Sequence, residues 1–143
     1  VYKEFNNYLR LGGFPVIHAH NYDADSAYKI INDIYSSVIL RDTIQRYNIR
    51  NVDQLERIMK FVLTNVGNLF SAKSISDYFI SQKRKVDINT VYNYLSALES
   101  AYIIRRVNRY NLKGKEILKT NEKFYLSDHA LIYSLIKIKV YFI

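Results

Sequence analysis

The chain has 143 residues, of which 49% are hydrophobic and 24% are charged, a composition typical of one or two small globular units. It contains no cysteine, which excludes a disulfide scaffold, a zinc ribbon and a thiol nucleophile. The most apolar segment, residues 130–143, is interrupted by Lys137 and Lys139. We therefore predict no transmembrane helix and expect a cytoplasmic protein. Because the sequence begins with Val1 and not with methionine, we expect a fragment of a longer protein.

The net charge of +8 is concentrated in the C-terminal third of the sequence. Residues 1–50 and residues 51–100 each carry a net charge of +1. Residues 101–143 hold nine Lys or Arg against three Asp or Glu, a net charge of +6. Such a local basic segment indicates a polyanionic partner.

The N-terminal third is predicted to be helical. The apolar positions in residues 5–9 follow the period of an α-helix, and Gly12 and Gly13 are suited to end it. Asp23 is a suitable N-cap for a long second helix, which we expect to end near Tyr47.

Three more helices are predicted in the middle of the sequence. Asn51 and Asp87 are suited to N-caps, because each precedes an apolar pattern of helical period, and a shorter helix follows Ser71. The first of the three is expected to end at Gly67 and the last at about Ser100.

Beyond Ala101 the residue pattern favours β-structure. Residues 102–110 are rich in β-forming side chains, and residues 116–118 and 123–126 can supply one or two returning strands. Residues 111–115, which include a glycine, are predicted to form the turn. Three helices followed by a β-hairpin is the order of a winged helix-turn-helix.

No catalytic residue is predicted within the chain. The sole Gly-Lys pair, Gly114-Lys115, lacks the neighbours of a Walker A loop, and no Asp-x-Lys or Glu-x-Lys sequence of a metal-dependent nuclease occurs. His18 and His20 have no third ligand at a convincing spacing, so we interpret them as solvent-facing loop residues and predict no metal site. The chain by itself is therefore predicted to hold no cofactor.

The basic segment is the stronger functional signal. In a winged helix the third helix can enter the major groove of DNA while hairpin and turn cations contact phosphates. The predicted DNA-binding residues are Lys83, Arg84, Lys85, Asn89, Tyr92, Asn93, Arg105, Arg106, Arg109, Lys113 and Lys115, with Lys119 as a further hairpin cation. Asparagine can pair bidentately with adenine.

The predicted recognition helix weakens the case for sequence-specific binding. It carries no Lys or Arg between Ile88 and Ala101 and ends in Glu99. A winged helix that packs against other proteins, with a solvated basic hairpin, is therefore an equal alternative, and a stand-alone transcription regulator is a third.

Seven short phrases follow one another along the chain, at residues 8–15, 39–49, 65–67, 90–95, 98–104, 113–115 and 123–128. Together they resemble the C-terminal half of prokaryotic AAA-type P-loop ATPases whose tail is a domain of unknown function, over residues Phe5 to Leu131. The sequence HALI at residues 129–132 departs from the Gly-Leu-Arg sequence with which that family generally continues. No activity of a downstream domain is therefore carried over.

The resemblance implies an upstream P-loop ATPase core as a partner, with ATP and Mg²⁺ bound only in the intact parent protein. In related ATPases a Gly-x-Pro turn approaches the nucleotide base, and Gly13 and Pro15 match that turn. Arg41 or Arg46 is then expected near phosphate. The alternative is that Gly13 and Pro15 only shape a turn.

We therefore predict a mainly α fold in three parts. These are a helical lid-like segment at residues 1–49, a winged helix-turn-helix with a β-hairpin wing at 50–130, and an apolar tail at 131–143 that resembles the start of a truncated C-terminal domain. The predicted function is a non-catalytic DNA-binding or nucleotide-responsive adaptor module of an ATPase. Enzymatic activity is expected of the parent and not of this chain, and no membrane partner is expected.

Overall fold

The chain is mainly helical and carries one small three-stranded antiparallel sheet, in agreement with the predicted mainly α class. The computed structural model describes residues 2–20 and 22–136. The helices are α1 (Tyr2–Leu11), α2 (Pro15–Ala19), α3 (Ala24–Ile34), α4 (Arg41–Arg46), α5 (Val52–Thr64), α6 (Ala72–Ser81), α7 (Ile88–Ser100) and α8 (Ala130–Ile136), with a π-helical segment at Tyr35–Leu40. The strands are β1 (Leu69–Phe70), β2 (Ile104–Asn111) and β3 (Glu116–Leu126).

The described residues divide into two compact units. The first combines the residues up to Gln45 with those from Asp128 onward, and the second is the continuous segment Arg46–Ser127. We predicted boundaries after residues 49 and 130, and the three predicted parts stay a prediction. Helix α8 is part of the first unit, and residues 137–143 of the predicted tail lie outside the described residues.

The first unit is held together by the return of the chain to its N-terminal helices. Helix α8 packs against α3 and α1, and it buries Ala130 and Leu131. Asp128 caps α8 by accepting a hydrogen bond from the Ala130 amide (2.9 Å), and its second oxygen accepts one from the Gly13 amide (2.8 Å). The Nε2 of His129 lies 2.6 Å from the carbonyl oxygen of Tyr8. The Gly12-Gly13 turn is thus fixed by residues more than 100 positions away in sequence.

The long helix predicted to follow Asp23 is present but interrupted. Asp23 caps α3 as predicted, its side chain accepting a hydrogen bond from the Ser26 amide (3.0 Å). A π-helical segment then separates α3 from α4. Tyr35 and Leu40 at its two ends are both buried although they are five residues apart. A π-helical turn, whose hydrogen bonds join residues i and i+5, is wider than an α-helical turn and so brings residues five apart closer to the same side of the helix.

The second unit begins with three capped helices. Asn51 accepts a hydrogen bond from the Gln54 amide (3.0 Å), Ser71 forms a capping box with Ser74, and Asp87 accepts from the Asn89 amide (2.8 Å). These caps satisfy amides that the first helical turns leave without a partner. The apolar stripes of the three helices supply the core, whose fully buried members include Leu55, Ile58, Val62, Ile75, Val91, Leu95 and Leu98.

The sheet closes the second unit. Its strand order is β1-β3-β2, so the last strand lies between the other two. In the β2–β3 ladder Ile104 pairs with Leu126 and Arg106 with Phe124, and the register shifts between Val107 and Arg109. Strand β3 is one continuous strand, whereas the sequence was compatible with either one or two returning strands. Strand β1 was not predicted, because a two-residue strand is too short to show alternation.

No helix in the described part of the chain is long and apolar enough to cross a membrane.

Candidate nucleic-acid interface

Four of the predicted hairpin cations lie on the surface of the second unit. Arg105 and Arg109 on β2, and Lys113 and Lys115 in the turn, are all exposed. The side chain of Asn111 accepts a hydrogen bond from the Lys113 amide (3.2 Å) and so shapes the turn. None of the four cations forms an ion pair with another described residue, so their charges face solvent. Of Lys119, only the backbone position in β3 is described.

Arg106 occupies a different environment from its neighbours. Its side chain is only 20% exposed, with Nη1 3.6 Å from an oxygen of Glu122 and Nε 3.3 Å from an oxygen of Glu99. The Nε contact is an ion pair without hydrogen-bond geometry. The other Glu99 oxygen accepts a hydrogen bond from the Arg106 backbone amide (3.1 Å). The guanidinium carbon of Arg106 lies 5.7 Å from the ring centre of Phe124. Arg106 was predicted to bind DNA, but its charge is already matched by two carboxylates.

The turn before α7 presents the remaining predicted cations. Lys83 and Lys85 are exposed, and the positive φ of Lys83 (57°) helps to close the turn. Arg84 lies 3.3 Å from a carboxylate oxygen of Asp53, which also accepts a hydrogen bond from Nε of Arg57 (2.8 Å). The Arg57 hydrogen bond is the main reason why the pKa of Asp53 is below its usual value. Lys83 and Lys85 thus face solvent, and no carboxylate among the described side chains pairs with either of them.

The outward face of α7 is polar and uncharged. Asn89, Tyr92, Asn93 and Ser96 are exposed on it, and their spacing of three and four residues places them on one stripe. On one side of the stripe, Asn93 lines a cleft of about 420 Å³ with the segment 47–50. On the other side, Tyr92 lines a cleft of about 490 Å³ with Arg106 and its two carboxylates. The stripe offers hydrogen-bonding groups without cations of its own.

The residues of the predicted nucleotide turn are placed as follows. Pro15 is the first residue of α2, where its missing amide hydrogen costs nothing, and it is exposed. The Gly13 amide is engaged by Asp128. Arg41 is exposed at the start of α4 in the first unit, and Arg46, at the end of that helix, is the first residue of the second unit. Gly13 lies in the turn between α1 and α2, and Pro15 begins the helix that follows this turn.

The side chains of His18 and His20 contact backbone carbonyl oxygens. The Nε2 of His18 lies 2.7 Å from the carbonyl oxygen of Gly12, and Nδ1 of His20 lies 3.3 Å from that of Val16. Among residues 2–20 and 22–136 no group of three or more His, Asp or Glu is arranged to hold a metal ion.

Sequence reasoning missed the carboxylates that neutralise predicted cations, namely Asp53, Glu99 and Glu122. For Glu99 and Glu122, the position of Arg106 in its strand could have indicated that Arg106 needs an acidic partner. Ile104 is buried, and a two-residue period in β2 places Arg106 on the same face. An arginine on an inward face requires an acidic partner.

Comparison with known proteins places both units in one family. Residues 2–140 match the family described as domain of unknown function DUF8612. The chain belongs to this family.

Two curated relatives of this DUF8612 chain are similar over most of its length. An uncharacterized protein of Haemophilus influenzae is 31% identical over 90% of the chain and 32% of the relative. The uncharacterized protein MJ1544 of Methanocaldococcus jannaschii is 27% identical over 93% of the chain and 30% of the relative. The chain thus spans about a third of the length of these relatives. No solved structure matches it.

Proposed function

We propose that residues 46–127 form a winged-helix module that binds DNA mainly through its phosphates, as one part of a larger protein. The β2–β3 hairpin serves as the wing and α7 as the helix that faces the duplex. The observation that carries the proposal is the order of elements around the sheet. The unit runs α5-β1-α6-α7-β2-β3 with strand order β1-β3-β2. We interpret this order as that of a winged helix.

The charge distribution supports phosphate binding more than base reading. Arg105, Arg109, Lys113 and Lys115 of the hairpin are exposed, and Lys83 and Lys85 are exposed before α7. Cations at such positions neutralise phosphates and give affinity that is independent of sequence. Between these two groups of cations, the exposed stripe of α7 formed by Asn89, Tyr92, Asn93 and Ser96 offers only neutral side chains. We therefore expect weak discrimination between DNA sequences, with Asn89 and Asn93 as its source.

The larger protein is proposed to be an AAA-type ATPase whose nucleotide state moves the winged helix. This proposal is supported by the resemblance of the seven phrases and by relatives about three times as long as the chain. The role of Gly13 and Pro15 at a nucleotide base depends on it. Pro15→Ala and Gly13→Val in the full-length protein should weaken ATP binding, and unchanged affinity would reject that role.

A salt titration of DNA binding tests the main proposal. The affinity of the chain for a labelled duplex should fall as salt rises, with a log–log slope near −0.9 for each phosphate contact. Replacing Arg105, Arg109, Lys113 and Lys115 together by glutamine removes four exposed cations without touching the core. We expect the magnitude of the slope to fall by about 3 to 4 in this variant.

The control changes two exposed cations outside the proposed interface, half the number removed from the hairpin. Lys29→Gln on α3 and Lys73→Gln on α6 lower the net charge but should leave the slope unchanged. Absence of DNA binding at about 50 mM salt, where such contacts are strong, would reject the proposal.

A protein-interaction module is the second candidate. The observation in its favour is the engagement of Arg106 and Arg84 by carboxylates, together with the absence of any cation in α7. If the duplex does not bind, this candidate is the one to pursue.

A further inference from the structure

A third cleft in residues 46–127 is lined by residues that, apart from Arg84, take no part in the proposed DNA contacts. It lies between α5 and α6, has a volume of about 570 Å³, and shares only Arg84 with the predicted DNA-binding residues. Its lining includes Arg57, Lys60, Phe61, Tyr78, Gln82 and Arg84. All residues that line the cleft belong to the second unit.

The rim of the cleft is positively charged. Arg57, Lys60 and Arg84 line it, whereas no carboxylate does. Asp53 holds one edge of Arg57 and of Arg84 through the same oxygen. Each guanidinium has five N–H groups, so most of these donors are left for an incoming anion. Lys60 is exposed and has no ion pair with a described residue.

The floor of the cleft is aromatic and concave. The rings of Phe61 and Tyr78 have centres 5.0 Å apart and are tilted by 52°. Phe70 supports Phe61 from the core (5.5 Å, 88°), and Phe79 supports Tyr78 (5.8 Å, 87°). Tyr78 is nevertheless 47% exposed. An apolar corner held by core rings, yet open to solvent, is a suitable place for one inserted side chain.

We propose that this cleft binds an acidic peptide segment of a partner protein, with one aromatic or large aliphatic side chain inserted into the cleft and packed against the rings of Phe61 and Tyr78. Carboxylates beside the anchor pair with Arg57, Lys60 and Arg84. The inserted side chain supplies apolar burial, and the rim supplies charge complementarity and orientation. This inference is independent of DNA binding by the hairpin.

The geometry favours a peptide over a nucleic-acid strand. Single strands bind on flat aromatic faces along which successive bases stack, with cations tracking the backbone. Here the two rings meet at an angle and form a corner, and the three cations line the same cleft. A single anchor flanked by anions fits this arrangement better than a row of stacked bases.

The test is an amide-resolved NMR titration of the full chain with the capped peptide DEFED. We expect shift changes centred on Lys60, Phe61, Tyr78 and Gln82. The peptide DEAED, which lacks the anchor, should bind at least about fivefold more weakly, as should DEFED to Lys60→Glu. The control Lys73→Glu makes the same charge change on α6 outside the cleft. This variant should bind DEFED with the same affinity as the unsubstituted chain.

Three results would overturn the inference. Shift changes that do not centre on the cleft, or none at all, would show that it does not take such a peptide. Equal weakening by Lys60→Glu and Lys73→Glu would show only general attraction to a basic protein. Stronger shifts at the same amides with a short oligothymidine than with DEFED would assign the cleft to nucleic acid. The comparison of DEFED with DEAED needs no variant, so the inference stays testable if Lys60→Glu does not fold.

Discussion

Gly12 occupies a position that no other residue fits without strain. Its φ is +74°, and a Cβ built on it would overlap Oδ1 of Asp128 and lie 2.6 Å from the Cβ of Ala130. We expect Gly12→Ala to lower the free energy of unfolding by about 2 kcal/mol or more, measured by urea denaturation. Gly13→Ala is the control, because a Cβ there lies 3.5 Å from its nearest neighbours. Equal losses for the two variants would contradict this explanation.

The ion pair between Arg106 and Glu122 is a second place where the stability of the chain depends on single residues. Glu122 is 5% exposed, so removing Arg106 leaves a carboxylate buried without its cation. We expect Arg106→Met to destabilise the chain by about 3 kcal/mol and the double variant with Glu122→Met to recover most of that loss. Arg105→Met, at the exposed adjacent position, should change stability by less than about 0.5 kcal/mol. A double variant no more stable than Arg106→Met would show that the pair is not the cause.

At the scale of the element, the cap of α3 makes the stability of the first unit sensitive to acid. Hydrogen bonds from the Ser26 side chain and amide hold the pKa of Asp23 below its usual value. The ionised cap therefore contributes stability above the unfolded pKa of about 3.9, and this contribution is lost as the pH falls through the lower folded value. Asn caps helices about as well as Asp but does not titrate in this range.

Asp23→Asn should therefore leave thermal stability near neutral pH almost unchanged and reduce the loss of thermal stability as the pH falls below about 4. The measurement is the midpoint of thermal unfolding against pH. An unchanged acid profile would place the acid sensitivity in other carboxylates.

At the scale of the whole molecule, the two units differ in how the chain builds them. Residues 46–127 are continuous, whereas the first unit needs α8 from the far end of the sequence. We expect the fragment 46–127 to unfold cooperatively on its own, because its core is made within it, and the fragment 1–45 to stay unfolded. Thermal unfolding by circular dichroism and the dispersion of amide NMR signals measure both. A disordered fragment 46–127 would contradict the independence of this unit.

Helices, caps and hairpin were largely predictable because their signals are local. The caps at Asp23, Asn51 and Asp87 and the end of α7 at Ser100 lie where the sequence placed them. The π-helical segment was not foreseen, because the burial of both Tyr35 and Leu40 depends on what packs against that helix. Strand β1 exists only because β3 offers it a partner at Glu122 and Lys123.

The sequence by itself determined the helix order, the polar face of α7 and the concentration of charge beyond Ala101, since each depends on residue type and spacing alone. Only the tertiary structure decided which cations are available. Arg105 and Arg106 are adjacent and chemically identical, yet strand alternation exposes one and turns the other toward Glu99 and Glu122. The structure likewise joined Asp128 to the Gly12-Gly13 turn and gathered Arg57, Lys60 and Tyr78 around one cleft. Side-chain environment is a property of contacts between distant residues, and no local pattern specifies those contacts.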